Sequence, residues 1–382
     1  MPLHFTTEEF SSRVTRTCAL LRQRNLDGLL MFRQESMYYL TGYDSFGFVY
    51  FQCLFLGVDG KITLLTRAPD RRVARYTSNI GDVRVWVDRH DAKPAEEMRS
   101  ILSEHGLAGG RLGVEWEAYG LTARNGQRLA AALDGFCHLE DASDLVTSLR
   151  VVKSPAEIAY VRRAAELADQ ALQETLPLIR PGAFEGDILA TLQGAVFRGD
   201  GDYPGNEFII GSGPAAELGR YVAGRRVIAS DDQLTLEFAG VFRHYHSCLM
   251  RTYRIGKPAP LQVSLHNCAL DAMEAAAAAL RPGRPVGDIY DAYANTLRKA
   301  GYLNDDKLNA CGYSLGATFS PNWMDFPMLY SGNPVEAVPG MVFFLHMAIS
   351  HGGQTAAPGE TFLVTQTGCE RLGKMPMDLT VG

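Results

Sequence analysis

The chain has 382 residues, of which 46% are hydrophobic and 21% charged, with a net charge of −6. That length suits two domains better than one core, no run of about eighteen apolar residues is present to span a membrane, and the dispersed basic residues form no stripe with interleaved aromatics, so neither a membrane nor nucleic acid is an expected partner. The seven cysteines (18, 53, 137, 248, 268, 311 and 369) make no CxxC pair, which reads as reduced thiols, and the first thirty residues carry charges throughout without the apolar core of a secretory signal. The expected location is therefore cytoplasmic.

Residues 8–26 carry an amphipathic helical pattern ending near Asn25, and Gly28-Leu29-Leu30-Met31-Phe32 reads as a buried strand. Two β-type runs, 53–58 and 62–65, meet at Asp59-Gly60, a strong hairpin signal. Leu112-Gly113-Val114-Glu115 is another strand candidate, and helical patterns alternate with strands to about residue 145. A first domain over 1–150 is thus expected to be α/β.

Lys153-Ser154-Pro155-Ala156-Glu157 predicts the next boundary: Ser at the N-cap, Pro at the first helical position and Glu three residues after the cap form a capping box. The helix it starts runs to Arg180-Pro181-Gly182, and a second Arg281-Pro282-Gly283 ends a helix over about 264–280. Each is followed by an acidic start and a further helix (Glu185-Gly186-Asp187; Gly287-Asp288), which suggests two related helical halves. Strongly β segments lie at 233–238, 244–255, 341–349 and 361–365. A second domain over 151–382 is expected to be α+β, a curved antiparallel sheet flanked by helices.

Several side chains stand out against this pattern. Glu237 lies inside the apolar run Leu234-Thr235-Leu236-Glu237-Phe238, where a carboxylate is costly to bury unless it is paired. His346 is similarly placed after Val342-Phe343-Phe344-Leu345, and His244 and His246 flank Tyr245 so that a strand would put both on one face. The plain alternatives are a salt bridge for Glu237, core packing for His346 and Trp323, and a small apolar filler for Cys248.

Taken together, the segments resemble the pita-bread superfamily of Xaa-Pro dipeptidases, aminopeptidase P and creatinase over nearly the whole chain. The markers are Tyr39-Leu40-Thr41-Gly42-Tyr43, the Lys153–Glu157 helix start, Tyr245 followed by Arg251-Thr252, Pro339-Gly340-Met341-Val342-Phe343, and Leu363-Val364-Thr365 with Gly368. The resemblance implies a creatinase-like first domain, a pita-bread catalytic domain and a homodimer in which the loop near Tyr43–Phe48 closes the partner's pocket. In the peptidases of that superfamily two Asp, one His and two Glu hold a pair of divalent metals. Here Glu237 stands at the first Asp, Cys248 at the second, Tyr313 at the His, His346 at the first Glu and Gly359 at the second, with Glu360 one residue off register; Arg220 takes the place of another family His.

Two adjacent divalent ions need several carboxylates to offset about four positive charges, so no metal and no other cofactor is expected. A single zinc on Glu237, Cys248 and His346 is the alternative, since these residue types ligate zinc. The closer likeness is to the ectoine hydrolases, which open a cyclic amidine and also lack the metal set. It rests on Leu236-Glu237-Phe238-Ala239-Gly240 with Arg243-His244-Tyr245-His246, on Gly312-Tyr313-Ser314-Leu315-Gly316 with Pro321-Asn322-Trp323, on Phe343–Met347, and on Glu360–Thr365, with Gly201-Asp202-Tyr203-Pro204 in support. The departure is Gly42-Tyr43-Asp44-Ser45-Phe46-Gly47-Phe48, where those enzymes tend to carry a Trp.

An amidinium carbon already carries positive charge and needs an opposed anion rather than a Lewis acid. The likeness therefore implies that Glu237 attacks that carbon or activates a water that does. His246 and His346 are candidate proton shuttles, Tyr313 a hydrogen-bond donor, and Glu360 a partner of the amidinium or of a histidine. Arg220 is a clamp for a substrate carboxylate and Trp323 a cation–π wall, while Tyr203, Tyr43, Phe46 and Phe48 are further substrate-facing candidates. The competing activities are an Xaa-Pro dipeptidase with a remodelled metal site and a creatinase-like amidinohydrolase.

Overall fold

The computed structural model describes residues 3–220, 224–303 and 310–381. The chain divides into two compact units, Met1–Arg150 and Val151–Gly382.

In the first unit a helix over Thr7–Gln23 starts where the Thr6 hydroxyl accepts the Glu9 N–H, and it stops before Asn25, which takes a left-handed φ of 56°. Six strands follow: β1 (Gly28–Met31), β2 (Cys53–Gly57), β3 (Ile62–Arg67), β4 (Asp82–Trp86), β5 (Arg111–Val114) and β6 (His138–Asp141). They form one mixed sheet in the order β4-β3-β2-β1-β5-β6. The β2–β3 hairpin turns at Asp59-Gly60, where Gly60 has φ 87°. Helices pack on both faces of this α/β sheet because its inner strands are apolar on both sides.

The second unit opens with the capping box: Ser154 Oγ accepts the Glu157 N–H at 3.4 Å, and Glu157 Oε2 accepts the Ser154 N–H at 2.8 Å. The other carboxylate oxygen of Glu157 accepts a 2.7 Å hydrogen bond from Tyr245 Oη, so the cap also ties the helix Pro155–Thr175 to the sheet. That sheet is built from β7 (Ile209–Ser212), β8 (Asp232–Phe242), β9 (Tyr245–Ile255), β10 (Gly312–Ser314), β11 (Asp325–Met328), β12 (Val342–His346), β15 (Gly359–Val364) and β16 (Cys369–Arg371). A small hairpin, β13 (Ile349–His351) with β14 (Gln354–Ala356), stands apart from it. The order is β11-β10-β12-β15-β9-β8-β7, with β16 on β15, and every pairing is antiparallel. The curled sheet flanked by helices is the expected pita-bread domain. The expected strand over 341–349 breaks after His346, where the chain leaves the sheet for the hairpin.

Period-two alternation divides labour between the faces of this sheet. One face carries Leu234, Leu236, Phe238 and Gly240 of β8, Arg251 of β9, Phe343 and Leu345 of β12, and Glu360 and Phe362 of β15. The helices Pro155–Thr175, Pro260–Ala279 and Gly287–Ala300 cover it. A Cβ on Gly240 would run into the backbone of Ala164 and Ala168, so the helix Pro155–Thr175 comes this close only because residue 240 has no side chain. The opposite face carries Glu237, Cys248, Met250, Gly359, Phe344, His346 and Tyr313.

Candidate active site

Glu237, Met250, Gly359 and His346 form one cross-strand row through β8, β9, β15 and β12. The adjacent row holds Ala239, Cys248, Phe344 and Tyr313 on the same face. Long-range pairing thus brings Glu237, Cys248, Tyr313 and His346 to one face although they are far apart in sequence. Arg220 is exposed in the segment after β7, and its charge acts on Glu237.

Glu237 is the acidic centre of this face. Burial pushes its carboxyl from an ordinary 4.5 up to about 7, against the opposing hydrogen bond from Tyr313 and the charge of Arg220. Tyr313 Oη points at Glu237 Oε1 across a long 3.5 Å. The phenol itself is pushed well above its usual range, by burial first and by Glu237 second, so it keeps its proton. Cys248 is fully buried, and burial with the nearby carboxylate keeps its thiol neutral; it packs as a small apolar residue. His346 is partly exposed, with its ring 5.7 Å from those of Tyr313 and Phe344.

The donor set does not fit the pair of divalent metals that the fold's peptidases use. Gly359 offers no side chain, and a Cβ there would stand 2.6 Å from Phe344 Cζ and 2.7 Å from Met250 Cβ, so the ligand's space is already filled. Tyr313 Oη already accepts the Trp323 indole N–H at 2.8 Å. Among the described residues no group of three or more His, Cys, Asp or Glu could hold a metal ion, and this also applies to the expected zinc alternative on Glu237, Cys248 and His346.

Several sequence expectations need correction. Glu360 lies one register off, so its side chain points to the helix-covered face and forms a buried ion pair with Arg251; it is too far round the strand to meet a substrate beside Glu237. Arg251 is held further by the carbonyls of Met250, Gly359 and Pro376. His246 faces Glu237's side of the sheet but has no free nitrogen: Nδ1 donates to His244 O at 2.8 Å and Nε2 accepts the Gly205 N–H at 2.8 Å. With burial driving its pKa down to about 3 it stays neutral, and it cannot shuttle protons. His244 does not share its strand face, because Arg243 and His244 are the two positive-φ residues of the β8–β9 turn.

Trp323 is only 1% exposed and spends its N–H on Tyr313, so it offers no open ring face as a wall. Tyr203 is 76% exposed and packs edge-on against Phe197. Tyr43 is buried in the core of the first unit, where its hydroxyl donates to Gln52 Oε1 at 2.9 Å, so it is a packing residue. Phe46 is 77% exposed and Phe48 half-buried on the same loop.

Sequence reasoning missed the loop pair that backs Tyr313. The backbone N–H of Trp323 donates to Asn206 Oδ1 at 3.2 Å, and Gly205 lies against the backbone of Asn322 and Trp323, where a Cβ would come within 2.9 Å. The marked fragments Gly201–Pro204 and Pro321–Trp323 bracket this contact, but nothing local in either announces the other.

Comparison with known proteins agrees with this architecture. Against a curated ectoine hydrolase from Halomonas elongata the chain is 27% identical, with 99% of this chain and 98% of the relative covered. Against an Xaa-Pro dipeptidase from Pyrococcus furiosus it is 22% identical, covering 96% and 99%. The crystal structure of dipeptidase PepE from Mycobacterium ulcerans shares the fold with a TM-score of 0.84 at 24% identity, covering 98% of both chains. The family model described as Creatinase/Prolidase N-terminal domain matches residues 13–152, and that described as Metallopeptidase family M24 matches residues 159–366. The chain therefore belongs to metallopeptidase family M24, a pita-bread hydrolase family, and carries a creatinase/prolidase N-terminal domain ahead of the catalytic fold.

Proposed function

We propose that this hydrolase opens a cyclic amidine, ectoine or a close relative, by attack of Glu237 on the amidinium carbon without a catalytic metal. The observation that carries the reading is a lone carboxylate, poised by burial near neutrality, at the centre of a sheet face whose other family ligand positions are Cys248, Tyr313, His346 and Gly359. A neutral peptide carbonyl in such a pocket lacks polarisation. A bound amidinium, by contrast, favours the charged carboxylate and offsets its burial. The 27% identity to an ectoine hydrolase over the full length supports the same substrate class.

In the water route, Glu237 takes a proton from a water whose oxygen bonds to the amidinium carbon. That proton then passes to the leaving nitrogen as the C–N bond breaks, with one water consumed. In the direct route, a Glu237 oxygen bonds to that carbon, and the C–N bond to the leaving nitrogen breaks as that nitrogen takes a proton. Water then adds to the carbon and cleaves the Glu237–carbon bond, which restores the carboxylate with one water consumed. Tyr313 donates a hydrogen bond at the reacting carboxylate, His346 carries protons to the leaving nitrogen, and Arg220 holds a substrate carboxylate. We place the enzyme in the cytoplasm as a homodimer in which the loop bearing Phe46 and Phe48, with its exposed apolar surface, meets the second copy. Incubation with ectoine and with an Xaa-Pro dipeptide, followed by proton NMR, tests the substrate: ring-opened product is expected from the first and none from the second. Cleavage of the dipeptide with ectoine left intact would overturn the proposal.

A further inference from the structure

The geometry points to Trp323 as a positioning residue that commits Tyr313 to donating its proton toward Glu237, with His246 anchoring the loops that hold Trp323 in place. The inference rests on Glu237 being the reacting carboxylate and adds what sets its hydrogen bonding.

An indole N–H can only donate, whereas a phenol has one proton and two acceptor lone pairs. Trp323 Nε1 lies 2.8 Å from Tyr313 Oη, so the phenol oxygen is the acceptor in that pair and its own proton is left for another partner. The polar group it reaches is Glu237 Oε1 at 3.5 Å. Accepting from Trp323 also polarises the phenol and strengthens its onward donation. Trp323 is thus a backing residue: it is buried and meets the phenol, while the phenol meets the carboxylate.

Both ends of the Trp323 backbone are held. Its N–H donates to Asn206 Oδ1 at 3.2 Å, and its carbonyl accepts a long 3.5 Å contact from Thr318 Oγ1. The neighbouring Gly205 packs backbone to backbone against Asn322 and Trp323, and its N–H is received by His246 Nε2. The tautomer of His246 is fixed by the 2.8 Å bond from Nδ1 to His244 O, with Thr318 Oγ1 a further 3.1 Å neighbour. A neutral, buried imidazole is what this duty requires, since a protonated Nε2 could not accept from Gly205. Contacts therefore run from His246 through Gly205 and Asn206 to Trp323, then to Tyr313 and Glu237. The titratable and charged groups facing the carboxylate are Tyr313 of β10, Cys248 of β9 and Arg220 after β7, with His346 of β12 in the same row.

The test reads Glu237 in the free protein, by ¹³C NMR of the side-chain carboxyl in glutamate-labelled chain, with the resonance assigned by its loss in Glu237→Gln. Trp323→Phe is expected to raise the titration midpoint by about half a pH unit, roughly threefold in proton affinity, because a weakened donor stabilises the carboxylate less. Tyr313→Phe should raise it at least as far, and the double variant no further than Tyr313→Phe alone. Asn206→Ala, which loosens Trp323 without altering the core, should move it in the same direction by less, and it serves if Trp323→Phe does not fold. An unmoved midpoint in both backing variants, or additive shifts in the double variant, would overturn the inference. No substrate enters the measurement, so failure of ectoine to react leaves it readable, and the reverse also holds.

Discussion

Replacing Glu237 by glutamine should make the second unit more stable at alkaline pH and leave it nearly unchanged in acid. The folded carboxyl titrates near 7 and an unfolded one near 4.5, so the native state binds the extra proton between those values. Stability therefore falls as pH rises from about 4.5 to about 7. At about 1.4 kcal/mol per pH unit the loss reaches about 3 kcal/mol above pH 7. Glutamine has nearly the same shape and no charge to desolvate, so it escapes that loss at pH 8 and gains little at pH 5. The chain has three tryptophans, and Trp323 is the one in the second unit. Urea unfolding followed by fluorescence in a Trp86→Phe, Trp116→Phe background therefore reports that unit. The stability gap between the Glu237→Gln variant and its parent should open from under about 1 kcal/mol at pH 5 to about 3 kcal/mol at pH 8. A gap that does not change with pH would show that burial leaves the carboxyl's titration unperturbed, and the electrostatic reasoning would fail.

The same midpoint predicts that kcat/KM for ectoine rises about tenfold per pH unit below about 7 and levels off above it, because the carboxylate is the reactive form and the amidinium stays charged; a profile flat from pH 5 to 8 would assign the reaction to another group. Arg251→Met should cost about 3–5 kcal/mol, since it leaves Glu360, whose Oε2 has no hydrogen-bond partner among the described residues, as a buried unpaired charge. Glu360→Gln should lower the melting temperature modestly with kcat/KM within about twofold; a larger loss of turnover in the folded variant would return Glu360 to the chemistry. Gly359→Ala should be destabilising because its Cβ meets Phe344 and Met250, and Phe344→Ala should relieve much of that cost in the double variant. Additive effects in thermal unfolding would contradict the packing described for that position.

What the sequence shows and what it hides follow from the range of the interactions. The Ser154 capping box, the Asp59-Gly60 hairpin and the helix end at Arg281-Pro282-Gly283 are written within a few residues, and each forms where it was expected, whereas the helix expected to run to Arg180 ends at Thr175 and gives way to a 3-10 turn over Leu176–Leu178. The row Glu237–Met250–Gly359–His346 is set by strand pairing over long separations, so only the resemblance made it legible. Glu360 shows how sharp register is: one residue separates the Glu237 face of the sheet from the helix-covered face. His246 looks like a shuttle until the Gly205 N–H and the His244 carbonyl fill its two nitrogens, and neither bond has a local signal. Tyr43 and Trp323 are aromatic in motifs that suggest a pocket, yet their polar atoms are satisfied by Gln52 and Tyr313 from other elements.

The most direct measurement is ring opening by protein dialysed against chelator, with residual metal counted by mass spectrometry in the same sample. Undiminished conversion of ectoine at far less than one metal per chain, abolished by Glu237→Gln, is the expected result. Conversion that vanishes on metal removal and returns with added zinc, manganese or cobalt would contradict attack by an unaided carboxylate.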